Sequence, residues 1–92
     1  MDNNEILKLA SWVKISGYRE RVMLNLGTKF KTPTVLAKDS GIQANHISNV
    51  LSDLKAKKLV ECINEDARKG RLYKVTELGA KVMQKTKIIN DE

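Results

Sequence analysis

The stretch Ala37-Lys38-Asp39-Ser40-Gly41-Ile42-Gln43-Ala44-Asn45-His46-Ile47-Ser48-Asn49-Val50 decides how this chain folds. Two short helices joined by a tight turn containing glycine form a helix-turn-helix. Gly41 supplies positive φ at the turn without a Cβ clash. Ala37 lets a second helix cross closely, and Ile47 and Val50 anchor that helix from inside. Upstream, Thr32 accepts a backbone N–H as N-cap, and Pro33 brings a preset φ to the first helical position. A helix over 33–40 follows, with Val35, Leu36 and Ala37 inward. Downstream, a helix over 44–58 places Ile47, Val50, Leu51 and Leu54 on one face. Its other face carries Asn45, His46, Ser48, Asn49, Ser52, Asp53 and Lys55.

Beyond residue 58 the period changes. Leu59-Val60-Glu61-Cys62-Ile63-Asn64 reads as one strand and Arg71-Leu72-Tyr73-Lys74-Val75 as another, joined by a polar loop over 65–70 into a β-hairpin. Thr76-Glu77 caps a last helix over roughly 77–88, within a C-terminal segment 76–89, with Leu78, Val82 and Met83 inward. Asn90-Asp91-Glu92 reads as a frayed tail. Toward the N-terminus, residues 4–15 carry Ile6, Leu7, Leu9, Ala10, Val13 and Ile15 at helical spacing. Ser16-Gly17 interrupts that pattern, and a second helix brings Tyr18, Val22, Met23, Leu24 and Leu26 before Gly27 ends it as a left-handed residue. Lys29-Phe30-Lys31 reads as a short extended connector. The expected fold is mainly α with a small β-hairpin, one domain over 1–92 in which 1–15 is an additional N-terminal helix.

That order of elements, with a basic hairpin tip, resembles the winged helix-turn-helix transcription regulators of the MarR/ArsR type, especially small archaeal ones. The resemblance spans roughly residues 16 to 83. It rests on Ser16-Gly17-Tyr18-Arg19, Thr32-Pro33-Thr34-Val35-Leu36-Ala37, Asn45 through Leu51, Leu54-Lys55, Leu59-Val60-Glu61, Lys69-Gly70-Arg71-Leu72-Tyr73 and Thr76-Glu77-Leu78-Gly79. It implies that the 44–58 helix enters the major groove of double-stranded DNA. The 65–71 tip would then ride on the backbone or in the minor groove. No ligand or sensor domain is recognisable, so no effector is implied.

The residues agree with that implication on their own chemistry. The major groove, about 12 Å wide, admits one helix, whose outer side chains must donate to and accept from base edges. Gln43, Asn45, His46, Ser48, Asn49 and Ser52 do both. Exposed helices ordinarily favour Lys, Glu and Arg, and Asn and Ser are weaker helix formers, so their density here points to a use. The competing account is a merely solvated face. Arg68, Lys69 and Arg71 are cations for phosphates or a narrow minor groove, against the alternative of a solubilising turn. Lys55, Lys57 and Lys58 either meet DNA or complement the helix dipole. Thr32 and Thr34 stand at a helix N-terminus that a phosphate can approach. Trp12 and Tyr18 fit helix packing better than base stacking. Cys62 reads as a small buried hydrophobe, with an exposed redox sensor as the alternative.

Composition narrows the classes further. With 17 Lys+Arg against 11 Asp+Glu, the net charge of +6 favours a polyanionic partner. Aromatics at 4% argue against a stacking platform for single-stranded nucleic acid or RNA. One Cys and one His exclude an internal disulfide and a structural zinc site of about four ligands. No nucleophile–base pair, phosphate-cradling glycine loop or metal cluster is visible, so no enzyme activity and no cofactor are expected. The polar, acidic start and the short apolar runs predict a cytoplasmic protein with no membrane partner. A domain this small buries little surface alone, which favours a homodimer through the N- and C-terminal helices. The alternatives to a sequence-specific regulator are a nonspecific or architectural DNA-binding protein and a protein-interaction winged helix.

Overall fold

A computed structural model describes the backbone of residues 2–90 and the side chains of 2–85. Five helices and one hairpin follow in the order α1 (Asn3–Ile15), α2 (Gly17–Leu26), α3 (Pro33–Ser40), α4 (Ala44–Ala56), β1 (Val60–Cys62), β2 (Tyr73–Val75) and α5 (Glu77–Asn90). The caps set these limits. Asp2 accepts from the Glu5 N–H to start α1. Ser16 is the whole junction between α1 and α2, and its Oγ accepts from the Arg19 N–H at 3.3 Å. Thr32 Oγ1 accepts from the Val35 N–H at 3.2 Å, with Pro33 opening α3. Gly41 ends α3 in the left-handed region, φ 71° and ψ 22°. Gly27 also has positive φ, 53°, but its ψ of −121° lies outside the expected left-handed helical region.

The helix expected over 44–58 ends at Ala56. Lys58 turns left-handed at φ 63°, and the Leu59 N–H reaches back to the Leu54 carbonyl at 3.0 Å, closing the helix end. Thr76 stabilises this turn: its hydroxyl donates to the Lys58 carbonyl at 2.7 Å and accepts from the Gly79 N–H at the start of α5. Helix α5 in turn includes Asn90, expected in the tail; residues 91–92 lie outside the described residues.

The strands are shorter than 59–64 and 71–75. They pair antiparallel with Val60 opposite Val75, Glu61 opposite Lys74 and Cys62 opposite Tyr73. Past Cys62 one backbone bond continues, Ile63 N–H to the Leu72 carbonyl at 2.9 Å, and the Asn64 side chain then takes over the bonding: Leu72 N–H donates to Asn64 Oδ1 at 2.7 Å, and Asn64 Nδ2 donates to the Gly70 carbonyl at 3.1 Å. Lys31 bridges the free edge of β2, exchanging both backbone bonds with Tyr73 at 2.9 and 3.1 Å, so the expected extended connector is strand-like at Lys31, whereas the Lys29 N–H donates back to the Leu26 carbonyl at 2.8 Å and belongs to the turn after α2.

A continuous core joins Ile6, Ala10 and Val13 of α1 to Val22, Met23 and Leu26 of α2, Leu36, the inner face of α4, Leu59, Val60 and Val82. Helix α1 lies against α5. Val35, expected inward, and several apolar positions of α1 and α2 are outside this core. Leu7, Leu24 and Val35 are half exposed and Ile15 is 82% exposed. Eight-residue α3 fully buries only Leu36 among its apolar side chains, with Ala37 half-buried. Cys62 is half-buried, its thiol 3.5 Å from Asn64 Oδ1.

Gly79 positions α5. A Cβ there would lie 2.1 Å from the Leu59 carbonyl oxygen and 2.7 Å from a Val75 methyl, so the helix backbone rests directly on the hairpin base. No helix among the described residues is long and apolar enough to cross a membrane.

Candidate nucleic-acid interface

Helix α4 divides cleanly. Ile47, Val50, Leu51 and Leu54 are buried, and Asn45, His46, Ser48, Asn49 and Ser52 are exposed on the opposite side. Gln43, the N-cap residue, is exposed and makes no side-chain cap bond. Its carbonyl accepts from the His46 and Ile47 N–H groups instead. Among the described residues, the side chains of Gln43, Asn45, Ser48, Asn49 and Ser52 make no hydrogen bond to the protein. Asp53 is the carboxylate of this face. The arrangement offers mixed donors and acceptors on a rigid rod that is fixed from behind by packing.

Two flanks border that face. On one side the His46 ring lies 5.4 Å from the Tyr18 ring of α2, tilted by 45°. The Arg21 guanidinium sits 5.9 Å above Tyr18 and donates to the Ser40 carbonyl at the end of α3, at 3.3 Å. On the other side Lys55 pairs with Glu65 of the hairpin loop. The Lys55 ammonium holds the Glu65 carboxyl below its ordinary range, and Glu65 raises Lys55 in return. Lys55, expected to meet DNA, is thus occupied in the free protein.

Three further cations gather at the hairpin tip. Arg68, Lys69 and Arg71 are exposed, and Arg71 Nε donates to the Ala67 carbonyl at 2.7 Å, closing the loop on itself. Gly70 takes φ 68°, which a side chain would strain. With Thr32, Pro33 and Thr34, these residues line an open depression of roughly 400 Å³. The N-terminus of α3 and the tip therefore form one concave surface from stretches far apart in sequence. Lys31, next to Thr32 in the chain, is paired with Asp39 at 2.8 Å, an interaction that lowers the Asp39 pKa.

The structure thus brings the expected residues into two groups, the α4 face and the α3–hairpin hollow, with Lys55 between them bound to Glu65. Sequence reasoning missed Asn64, whose amide fixes the tip, and Arg21 on the α2 flank. Asn64 carries a turn signal; Arg21 carries none that separates it from any surface arginine. Trp12 packs as expected, with Arg19 3.8 Å and Lys57 5.6 Å from its ring. Among the described residues no three His, Cys, Asp or Glu side chains converge as for a metal ion.

No protein-family model matches the sequence, and no curated protein matches it. Solved structures do. A possible transcriptional regulatory protein from Mycobacterium bovis (a fragment of residues 1–100) superposes with a TM-score of 0.73 at 21% identity, over 96% of this chain and 94% of that one. A MarR family transcription regulator superposes with a TM-score of 0.61 at 16% identity, over 96% of this chain and 65% of that one. The fold is the winged helix-turn-helix, with α3 and α4 as the helix pair and the β1–β2 hairpin as the wing.

Proposed function

We propose that this winged helix-turn-helix chain is a transcriptional regulator that binds duplex DNA sequence-specifically, with α4 in the major groove and the wing on the backbone or in the minor groove. The observation that carries the reading is the α4 face: exposed amide and hydroxyl side chains, Asn45, Ser48, Asn49 and Ser52, with no protein partner among the described residues, on a helix anchored by four buried ones. Side chains of this kind read base edges. Gln43 and His46 extend the same surface. The solved structures of similar fold are described as regulators, which supports the reading.

Contacts that orient the protein go mostly to phosphates and carry no sequence information. Arg68, Lys69 and Arg71 serve that role, together with Thr32 and Thr34 at the positive end of α3. The chain acts as a cytoplasmic homodimer without enzyme activity or cofactor. The exposed Leu7 and Ile15 of α1, two turns apart, offer an apolar strip for a second copy.

Selection of bound duplexes from a random pool at fixed salt tests the reading. One enriched motif is expected, with twofold symmetry if a dimer binds. Tight binding without enrichment would establish the architectural alternative instead, and absence of duplex binding at low salt would refute both.

A further inference from the structure

We infer that the α2 side of α4 carries a second backbone-binding flank, in which Arg21 contacts a phosphate beside Tyr18 and His46. The inference rests on the DNA reading above and adds a strand contact to it. A helix with its side chains is about 10–12 Å across and nearly fills a major groove about 12 Å wide. Both walls of that groove are sugar–phosphate backbone, so both flanks of an inserted helix meet phosphates. The wing supplies cations on one flank only. On the other, the residue order alone marks His46 and no basic partner.

The structure supplies one. Arg21 is exposed and, unlike Lys14, Lys31 and Lys55, has no carboxylate partner among the described residues. Its guanidinium is held from two directions, by the Ser40 carbonyl and by the Tyr18 ring. One of five N–H donors is used on Ser40, which leaves the rest of the planar fork for an oxyanion. Tyr18 also touches His46, so its ring links the tethered guanidinium to the N-terminal turn of α4, the end of a recognition helix whose residues contact base edges. A tyrosine hydroxyl there can donate to the same backbone.

The competing role is structural: Arg21 as a cation at the C-terminal end of α3, complementing its dipole. Duplex binding measured across a salt series separates the two. Arg21→Gln keeps a donor for Ser40 and removes the charge. Its log-affinity against log-salt slope is expected to shrink in magnitude by about 0.9 from wild type, with the melting temperature and the preferred motif unchanged. Arg21→Lys restores the slope. Duplexes carrying single neutral methylphosphonates give a second readout. Wild type loses affinity at phosphates on both sides of the groove, and Arg21→Gln becomes indifferent to those on one side. A wild-type slope and wild-type methylphosphonate pattern in Arg21→Gln overturns the flank while leaving the DNA reading standing, provided the Arg68, Lys69 and Arg71 triple alanine variant still lowers the slope. Failure of wild type to bind any duplex overturns both.

Discussion

Helix α4 and the wing tip are built by opposite rules. Helix α4 is fixed by burial: Ile47, Leu51 and Leu54 are at most 2% exposed, and its outer face is mostly uncharged. The tip has no such anchor. Arg68, Lys69, Gly70 and Arg71 are all exposed, and the loop is held by hydrogen bonds between the Asn64 and Arg71 side chains and neighbouring backbone, Asn64 both donating and accepting. The chemistry proposed for each matches its rigidity. Base readout depends on directional bonds and needs side chains held in place. Phosphate binding is largely charge attraction over a continuous polyanion and tolerates a looser mount.

The sharpest way to break this contrast is to remove the anchor of α4. Leu51→Ala should cost about 2–5 kcal/mol of folding stability, because a fully enclosed side chain leaves a cavity. Its loss of DNA binding should track the unfolded fraction, measured by thermal melting under circular dichroism. Undiminished stability would show that α4 is not held from behind.

The wing should respond in the other manner. Alanine at Arg68, Lys69 and Arg71 together should leave the melt close to wild type, since exposed substitutions usually stay within about 0.5 kcal/mol each. The salt slope of duplex binding should fall by about 0.9 for each phosphate that the wing no longer neutralises, equally for all sequences. A preserved slope would reduce the wing to a solvated turn.

The same contrast explains what is legible in the sequence. Burial at helical spacing writes itself into residue order, so α4, its inner face and the Gly41 turn all follow from Ile47, Val50, Leu51 and Leu54. The Thr32-Pro33 start of α3 is legible from its capping chemistry, and the hairpin after α4 from the change of period beyond residue 58. Helix α3 is misread at Val35 because in two turns a solvent-facing valine is indistinguishable from a core one. The expected end of α4 falls late because Lys58, not glycine, takes the left-handed turn, supported by a Thr76 hydroxyl from the far side of the hairpin. The closeness of Gly79 to the Leu59 carbonyl exists only once α5 crosses the hairpin. At the candidate site the residue types are readable, and their grouping is not. Thr32 and Thr34 meet the wing tip, and Tyr18 meets His46, through tertiary packing that no local pattern encodes.

Asn49→Ala sharpens the division within α4 itself. Asn49 is exposed and unbonded among the described residues, so the melt should hardly change. Discrimination between the selected site and unrelated duplex should fall by about 1–3 kcal/mol if its amide pairs with a base. An unchanged specific-to-nonspecific ratio for this variant, His46→Ala and Asn45→Ala alike would remove readout from α4 and favour the architectural alternative.

The smallest effect is expected where the two regions touch. Lys55 of α4 pairs with Glu65 of the hairpin loop, and both groups are half exposed. An exposed pair adds little stability, so Glu65→Gln should melt as wild type does. It should nevertheless free a lysine at the edge of the proposed DNA face. The expected result is tighter duplex binding with a slope steeper by up to about 0.9, as for one more neutralised phosphate. Acid cannot reproduce this near neutrality. Lys55 lowers the Glu65 pKa, so the pair's contribution is present above the ordinary carboxylate value, about 4.3, and is lost only as pH falls through the depressed one. Around neutral pH the pair should therefore give duplex affinity no pH dependence in wild type. A salt slope identical in Glu65→Gln and wild type would mean that Lys55 never reaches the backbone, and that α4 and the wing divide reading from gripping without a shared residue.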